Sequence, residues 1–292
     1  MTNDAKSVST IALLQRKDGL SDSLFSRYWR DVHGVLAARI PGFWSYTQFH
    51  VKPFVLKSAP AVANDDTLQM DALAEVIFSN DADRNGLITS DVTGLIQIDE
   101  KNVFSRTLLY SLEAGASRTP VDAGGVQQAS YILIVQSPTD CSPTAISTAL
   151  NAELVPMLKN LLGLVKLRTH LLTSGDPSLW STVPGVNNAV VGAKNSVAIQ
   201  LDWTDHATAE TGLNECAKTS FSAFKVMQAY RVDARPCDGR QWPPHSPRLA
   251  WPRCPQDHRR SGRGQSERGS GAALHLRSDA AGTLIVPQDQ SP

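Results

Sequence analysis

Two periodicities, one of strands and one of helices, alternate along this chain, and the alternation runs through twice. Residues 9–14 form a short apolar run suited to a strand. Leu24, Phe25, Tyr28, Trp29, Val32, Val35, Leu36 and Ile40 then fall on one side at helical spacing. Ser21 or Ser23 can cap that helix, and Pro41-Gly42 ends it. Residues 43–54 alternate and are rich in aromatics, which predicts a strand. A polar loop is expected at 58–66 and a third strand at 71–78. Residues 84–102 read as mostly helix and 107–112 as a fourth strand. The order is β-α-β-β-α-β.

Residues 114–127 are rich in Gly, Ala and Ser and read as a linker. The same order then returns: strand 130–135, helix 145–162, strands 165–173 and 197–203, helix 206–224 and strand 226–232. Pairing Gly42 with Gly163 also pairs Ile11 with Ile132 and Leu108 with Ala229, a constant offset that argues for a duplication. This order is the split-βαβ, ferredoxin-like motif. The fold class expected is α+β, two tandem units packed sheet to sheet as an α/β barrel. A cavity between the sheets would suit a small apolar ligand. The organisation predicted is a first unit at 1–114, a linker at 115–127, a second unit at 128–234 and a tail at 235–292.

The polar residues are not copied with the scaffold. The offset places Ala149, Leu150 and Leu154 opposite Tyr28, Trp29 and His33. This suggests one site per chain, at the seam between the units. At 100° per residue His33 lies at the rim of the apolar stripe, and a neutral imidazole there can take and return a proton. Structural capping of a carbonyl is the alternative role. Tyr46, Gln48 and His50 share one face of the second strand. If that face lines the cavity, Tyr46 and Gln48 hydrogen-bond a substrate carbonyl and His50 is a second acid/base. If it meets the helices, Tyr46 is core and His50 sits in water at a strand end. Tyr28 and Trp29 are either substrate contacts or core. Asp31 falls on the exposed face, with orientation of a histidine as its other role, and His170 reads as structural.

The run Phe25-Ser26-Arg27-Tyr28-Trp29-Arg30-Asp31-Val32-His33-Gly34, with Ile40-Pro41-Gly42 and Tyr46-Thr47-Gln48 after it, resembles the EthD family of dimeric α/β-barrel proteins. Members often carry F-x-x-Y-W-x-x-x-H-G, a Pro-Gly turn and a Tyr-x-Gln strand. The likeness is specific over residues 8–54 and topological to about 234. It implies a barrel acting on small organic molecules without metal or flavin. Members are often classed as oxidoreductases or degradation-pathway proteins, and some fungal relatives look like dehydratases or decarboxylases of polyketides. A homodimer is compatible with this.

Net charge is zero over 292 residues, which gives bulk electrostatics no preference for nucleic acid or an anionic membrane. No apolar run suits a membrane span, and residues 1–9 lack the regions of a signal peptide, so the chain reads as cytoplasmic. Cys141, Cys216, Cys237 and Cys254 are scattered, which argues against a disulfide framework or a zinc site. The stretch Asp81-Ala82-Asp83-Arg84-Asn85-Gly86 imitates the start of a calcium loop, but Val92 stands where the closing glutamate belongs. It reads instead as a turn into a helix capped by Asp81 or Asp83.

Composition shifts after Ala234: residues 235–292 hold nine Arg and no Lys, Phe, Tyr, Asn or Met. One reading is a disordered basic tail that binds nucleic acid or membrane. The other is out-of-frame translation. Dropping one nucleotide permits G-R-P-T-x-x-G-L-R-G, whose end glycines are forced by Trp242 and Trp251. Either way no packed structure and no function is assigned there, and His245, His258, Cys237 and Cys254 are excluded as metal ligands.

The function expected is a cofactor-independent enzyme acting on a small hydrophobic molecule by histidine acid/base chemistry: elimination, isomerisation or oxidation. In enzyme classes that is a lyase (dehydratase) or a cofactor-free oxidoreductase. The alternative is a non-catalytic ligand-binding or accessory protein of a degradation pathway.

Overall fold

A computed structural model of the chain describes residues 8–56, 69–172, 183–188 and 195–234. The loop expected at 58–66 and the tail, with its reading-frame question, lie outside the described residues.

The first half runs β1 (Val8–Arg16), α1 (Asp22–Tyr28), a π-helical turn at Trp29–His33, α2 (Gly34–Ala37), β2 (Phe43–Phe54) and β3 (Ala72–Phe78). It continues through α3 (Asp81–Asn85), a 3₁₀ turn, α4 (Asp91–Val103) and β4 (Phe104–Leu112). After β5 (Ser117–Asp122) the second half repeats the order. Its elements are β6 (Ala129–Gln136), α5 (Pro143–Ala149), a second π turn at Leu150–Leu154, α6 (Val155–Lys159), β7 (Leu164–Leu171), β8 (Asn195–Trp203), α7 (His206–Cys216) and β9 (Val226–Ala234).

Each half shows the ferredoxin-like strand order, and β2 pairs with β9, so both belong to one nine-stranded sheet, β4-β1-β3-β2-β9-β6-β8-β7-β5. The halves are therefore joined edge to edge as well as packed face to face. Ile11, Leu13, Phe49, Leu73, Leu108 and Tyr110 of the first half share one buried cluster with Ile132, Ile134, Ala198 and Tyr230 of the second. That cluster fills the barrel. Arg168 Nη1 reaches Glu75 Oε2 across it at 2.6 Å. The other face of each half's sheet carries that half's helices, over clusters around Trp29 in the first and Leu154 in the second.

Several expectations are corrected. The linker at 115–127 contains β5, which pairs with β7: a polar, glycine-flanked run still makes an edge strand when a partner edge is open. The helix expected at 206–224 ends at Cys216, followed by the polar Lys218-Thr219-Ser220, although Phe224 still packs into the core. The helix at 84–102 breaks at Ser90, whose hydroxyl caps α4 by accepting from Val92 N. The cap of α3 is Asn80, one residue before the predicted aspartates.

The two helical arms keep the predicted offset in detail. Ser21 and Ser142 both cap the first helix, and both arms widen into a π turn. Gly42 and Gly163 both have positive φ, 82° and 73°. At Gly42 a Cβ would also lie 2.8 Å from Asp83 Cβ, so no other residue fits that turn without strain.

Candidate active site

The π turn at Trp29–His33 builds the site. Gly34 N–H donates to Trp29 O, five residues back, which widens the turn. Residues five apart are thereby brought close to one line along the helix. Tyr28 and His33, out of register in a regular α-helix, both reach Asp99 on α4. Tyr28 Oη donates to Asp99 Oδ1 at 2.5 Å, and His33 Nδ1 lies 3.0 Å from Asp99 Oδ2.

His33 is 6% exposed, deeper than the rim position read from a regular helix. With Nδ1–H given to a carboxylate, the second nitrogen, Nε2, is the one left for chemistry. The ring stands edge-on to Phe104, centroids 5.1 Å apart. Burial pushes the Asp99 carboxyl up, but the bonds from His33 and Tyr28 outweigh it and hold it below the usual carboxylate range. Tyr28 moves the other way, to about 12, through burial first and then its bond to Asp99.

His33 lines a cavity of about 80 Å³ between the helices and the outer face of the first half's sheet. Trp29, Ile40, Phe43, Phe104 and Leu109 supply apolar wall, and Tyr46, Glu100 and Thr107 supply polar groups. Between the two inner faces, where a cavity was expected, the barrel cluster closes around the buried polar groups Glu75, Arg168, His170 and Gln200 and fills the space. The pocket lies instead where the helices stand off the sheet.

The face of β2 that carries Tyr46, Gln48 and His50 meets the helices, while Phe49 and Val51 point into the barrel. Gln48 Nε2 donates to Trp29 O at 2.9 Å and to the Tyr46 hydroxyl at 3.1 Å. Gln48 thus ties the π turn to the strand. It also occupies the acceptor side of the Tyr46 hydroxyl, so the hydroxyl hydrogen is directed elsewhere. Burial drives the Tyr46 pKa to about 12, against the bond from Gln48. Gly34 belongs to the same unit: a Cβ on it would lie 2.6 Å from Gln48 Nε2. That contact is the physical reason for glycine directly after His33.

His50 is not in the His33 cavity, and it is not in water as the helix-facing alternative predicted. It is 5% exposed, its Nδ1 is 2.8 Å from Ser26 Oγ, and its ring lies 4.6 Å from that of Trp29. It lines a separate cleft of about 1060 Å³ beside the β2–β9 junction. Burial, with the charge of Arg30 adding to it, lowers its pKa to about 4. Trp29 is fully buried, both core and cavity wall, and Tyr28 contacts Asp99 rather than the cavity. Asp31 is exposed and paired with Arg30. The carboxylate that orients His33 is Asp99, 66 residues away, which no local pattern singles out.

His170 is fully buried inside the barrel, with Nδ1 on Ser117 Oγ at 2.9 Å and Nε2 3.1 Å from the amide nitrogen of Gln200. No cluster of three or more His, Cys, Asp or Glu among the described residues is placed to hold a metal ion. None of their helices is long and apolar enough to cross a membrane.

Fold and site together define a ferredoxin-like α/β barrel with a histidine–aspartate pair at a small pocket under its helices. Residues 17–107 match the EthD domain. No curated protein sequence matches the chain. Among solved structures it is similar to an anthrone oxidase-like protein, at 10% identity and a TM-score of 0.48, over 79% of this chain and 93% of that one. It is also similar to a protein from Lactobacillus acidophilus NCFM provisionally called a monooxygenase, at 12% identity and a TM-score of 0.45, over 81% and 97%. A mutant chlorite dismutase from Candidatus Nitrospira defluvii follows at 10% identity and a TM-score of 0.40, over 78% and 92%. These likenesses are too distant to transfer a reaction or a site.

Proposed function

We propose that this chain is an enzyme that moves a proton on a small, largely apolar organic molecule bound under the helices of its first half. The observation that carries this reading is the His33 Nδ1 to Asp99 Oδ2 contact of 3.0 Å, with the imidazole in the wall of the cavity. Asp99 fixes the tautomer and steadies the positive charge His33 gains when Nε2 takes a proton. Tyr46, with its oxygen held by Gln48, gives its hydrogen to the substrate oxygen on which negative charge develops. Trp29, Phe43 and Phe104 hold the apolar body and exclude water. Side chains alone supply this chemistry, and the reaction belongs to the lyase or cofactor-free oxidoreductase class.

One site per chain follows, because the second half places Leu154 where the first has His33, and Leu154 is fully buried. The shared caps and π turns support a tandem duplication with units at 1–114 and 128–234.

The test is hydrogen–deuterium exchange in D₂O at the carbon beside the carbonyl of a small aryl ketone, followed by NMR. The wild-type chain accelerates exchange, and His33→Gln abolishes the acceleration while the fold persists by circular dichroism. Undiminished exchange in His33→Gln removes His33 from the mechanism. Ketone binding without exchange in the wild type favours a non-catalytic binding protein.

A further inference from the structure

The sheet beneath the His33 cavity differs from its copy in the second half at two facing positions. Ala12 on β1 pairs with Ala74 on β3, and Ala74 pairs with Gln48 on β2, so the three form one row across the strands. Gln48 Nε2 donates to Trp29 O, and a Cβ on Gly34 would lie 2.6 Å from that nitrogen. The π turn that carries His33 therefore lies over this row. The offset that sets Ile11 on Ile132 sets Ala12 on Leu133, and Leu133 pairs with Ile199 on β8 as Ala12 pairs with Ala74. Leu133 and Ile199 are fully buried under the second half's helices, in one cluster with Leu154, which stands in the place of His33. Ala12 and Ala74 face the first half's helices and line the cavity. Each alanine is three carbons smaller than its counterpart. In an interior packed to full density, two such truncations open a void beneath the helices. Floor and histidine thus differ together: small residues where the imidazole is kept, large ones where it is lost. Thr107, also in the cavity wall, is 4% exposed, and its Oγ1 has no hydrogen-bond partner among the described residues. A buried hydroxyl of that kind calls for a guest that satisfies it.

We propose that Ala12 and Ala74 are the specificity-determining residues of this site, and that they select ketones whose reacting arm is short. This rests on the reading of His33 as the base. The cavity measures about 80 Å³. An apolar protein cavity of ~150 Å³ takes a benzene ring, so one of about half that volume takes roughly three carbons. The arm that carries the proton enters beneath His33 and lies on the two alanines. The ring on the other side of the carbonyl stays off this floor. A methyl or ethyl arm fits the space. A butyl arm exceeds it, and methylenes forced into a packed interior are strongly disfavoured. A leucine at position 12 fills the space from below, as Leu133 does in the second half.

The test compares 1-phenylethanone, 1-phenylpropan-1-one and 1-phenylpentan-1-one on the full chain. Binding is read by NMR titration, and α-deuterium exchange in D₂O is divided by the rate of the same ketone in imidazole buffer. The wild type binds and exchanges the methyl and ethyl ketones, and both measures fall by about 10-fold or more for the butyl ketone. Ala74→Gly deepens the floor and brings the butyl ketone to within about 3-fold of the ethyl ketone. Ala12→Leu, folded by circular dichroism, binds none of the three. A wild type that binds all three alike, or none, overturns the proposal. So does a butyl penalty that persists unchanged in Ala74→Gly, a variant mild enough to fold if Ala12→Leu does not. A folded Ala12→Leu that binds as the wild type does overturns it as well. Binding that follows arm length without exchange, or exchange that survives in His33→Gln, overturns the reading of His33 and leaves the floor proposal standing.

Discussion

Stability at mildly acid pH reports on the interior of the barrel. Gln200 Nε2 lies 3.1 Å from His170 Nε2 and 3.4 Å from Glu75 Oε2. An amide nitrogen only donates, so His170 Nε2 accepts, and its hydrogen sits on Nδ1 facing Ser117 Oγ at 2.9 Å. Protonation of Nε2 would turn two donors against each other. Reversing the amide would set its oxygen against the Glu75 carboxylate. The network therefore accommodates the neutral ring alone. Burial lowers the His170 pKa from 6.5 to about 4, with the Arg168 charge helping and the Glu75 charge opposing.

In that window the unfolded chain binds a proton that the folded chain refuses, so stability rises with pH. The contribution is complete above about pH 6.5 and is lost as pH falls toward 4. At ~1.4 kcal/mol per pH unit, it amounts to about 3 kcal/mol, an upper figure for one fully buried group. Part of that is a large fraction of a domain's stability. The assay is urea unfolding at pH 7.5 and pH 4.5, wild type against His170→Gln, whose amide can make the same two bonds without titrating. His50 contributes in the same direction in both chains and cancels in the comparison. The wild type loses about 2 kcal/mol more than His170→Gln between the two pH values. Equal losses would refute the assignment of a neutral, directionally locked His170.

Asp99→Asn removes the anion that Tyr28 and His33 share; the Tyr28 pKa drops from about 12 toward its ordinary 10, read by NMR titration, and ketone exchange slows by about 100-fold or more. Gly34→Ala drives a Cβ into Gln48 Nε2 at 2.6 Å; it destabilises by about 1–3 kcal/mol in thermal unfolding and slows exchange, whereas Gly86→Ala, with nothing within 4 Å, changes neither appreciably. Tyr46→Phe keeps the ring and loses the donor; exchange slows by about 10-fold or more with little change in Tm.

The repeated β-α-β-β-α-β order, the apolar stripe that contains His33 and the loss of that histidine from the second half were all legible in the sequence. Each is a local periodicity or a comparison between two stretches. Asp99 was not legible as the partner of His33, since only the packing of α4 against the π turn joins positions 66 residues apart. The same holds for Glu100, which looks like any surface acid until α4 is oriented. β5 was missed because an edge strand needs only an open neighbouring edge, which composition does not reveal.

By itself, then, the sequence determined the ferredoxin-like halves, because hydrophobic spacing sets which side of each element is buried. Only the tertiary structure decided where the pocket lies and what faces it. Tyr46, Gln48 and His50 alternate identically whether their face meets a helix or the other sheet. The choice was made when the two inner faces, with their apolar cluster and the Glu75–Arg168 pair, closed on each other and filled the barrel. The pocket that His33 lines opened under the first half's helices, where a widened turn aims His33 at Asp99.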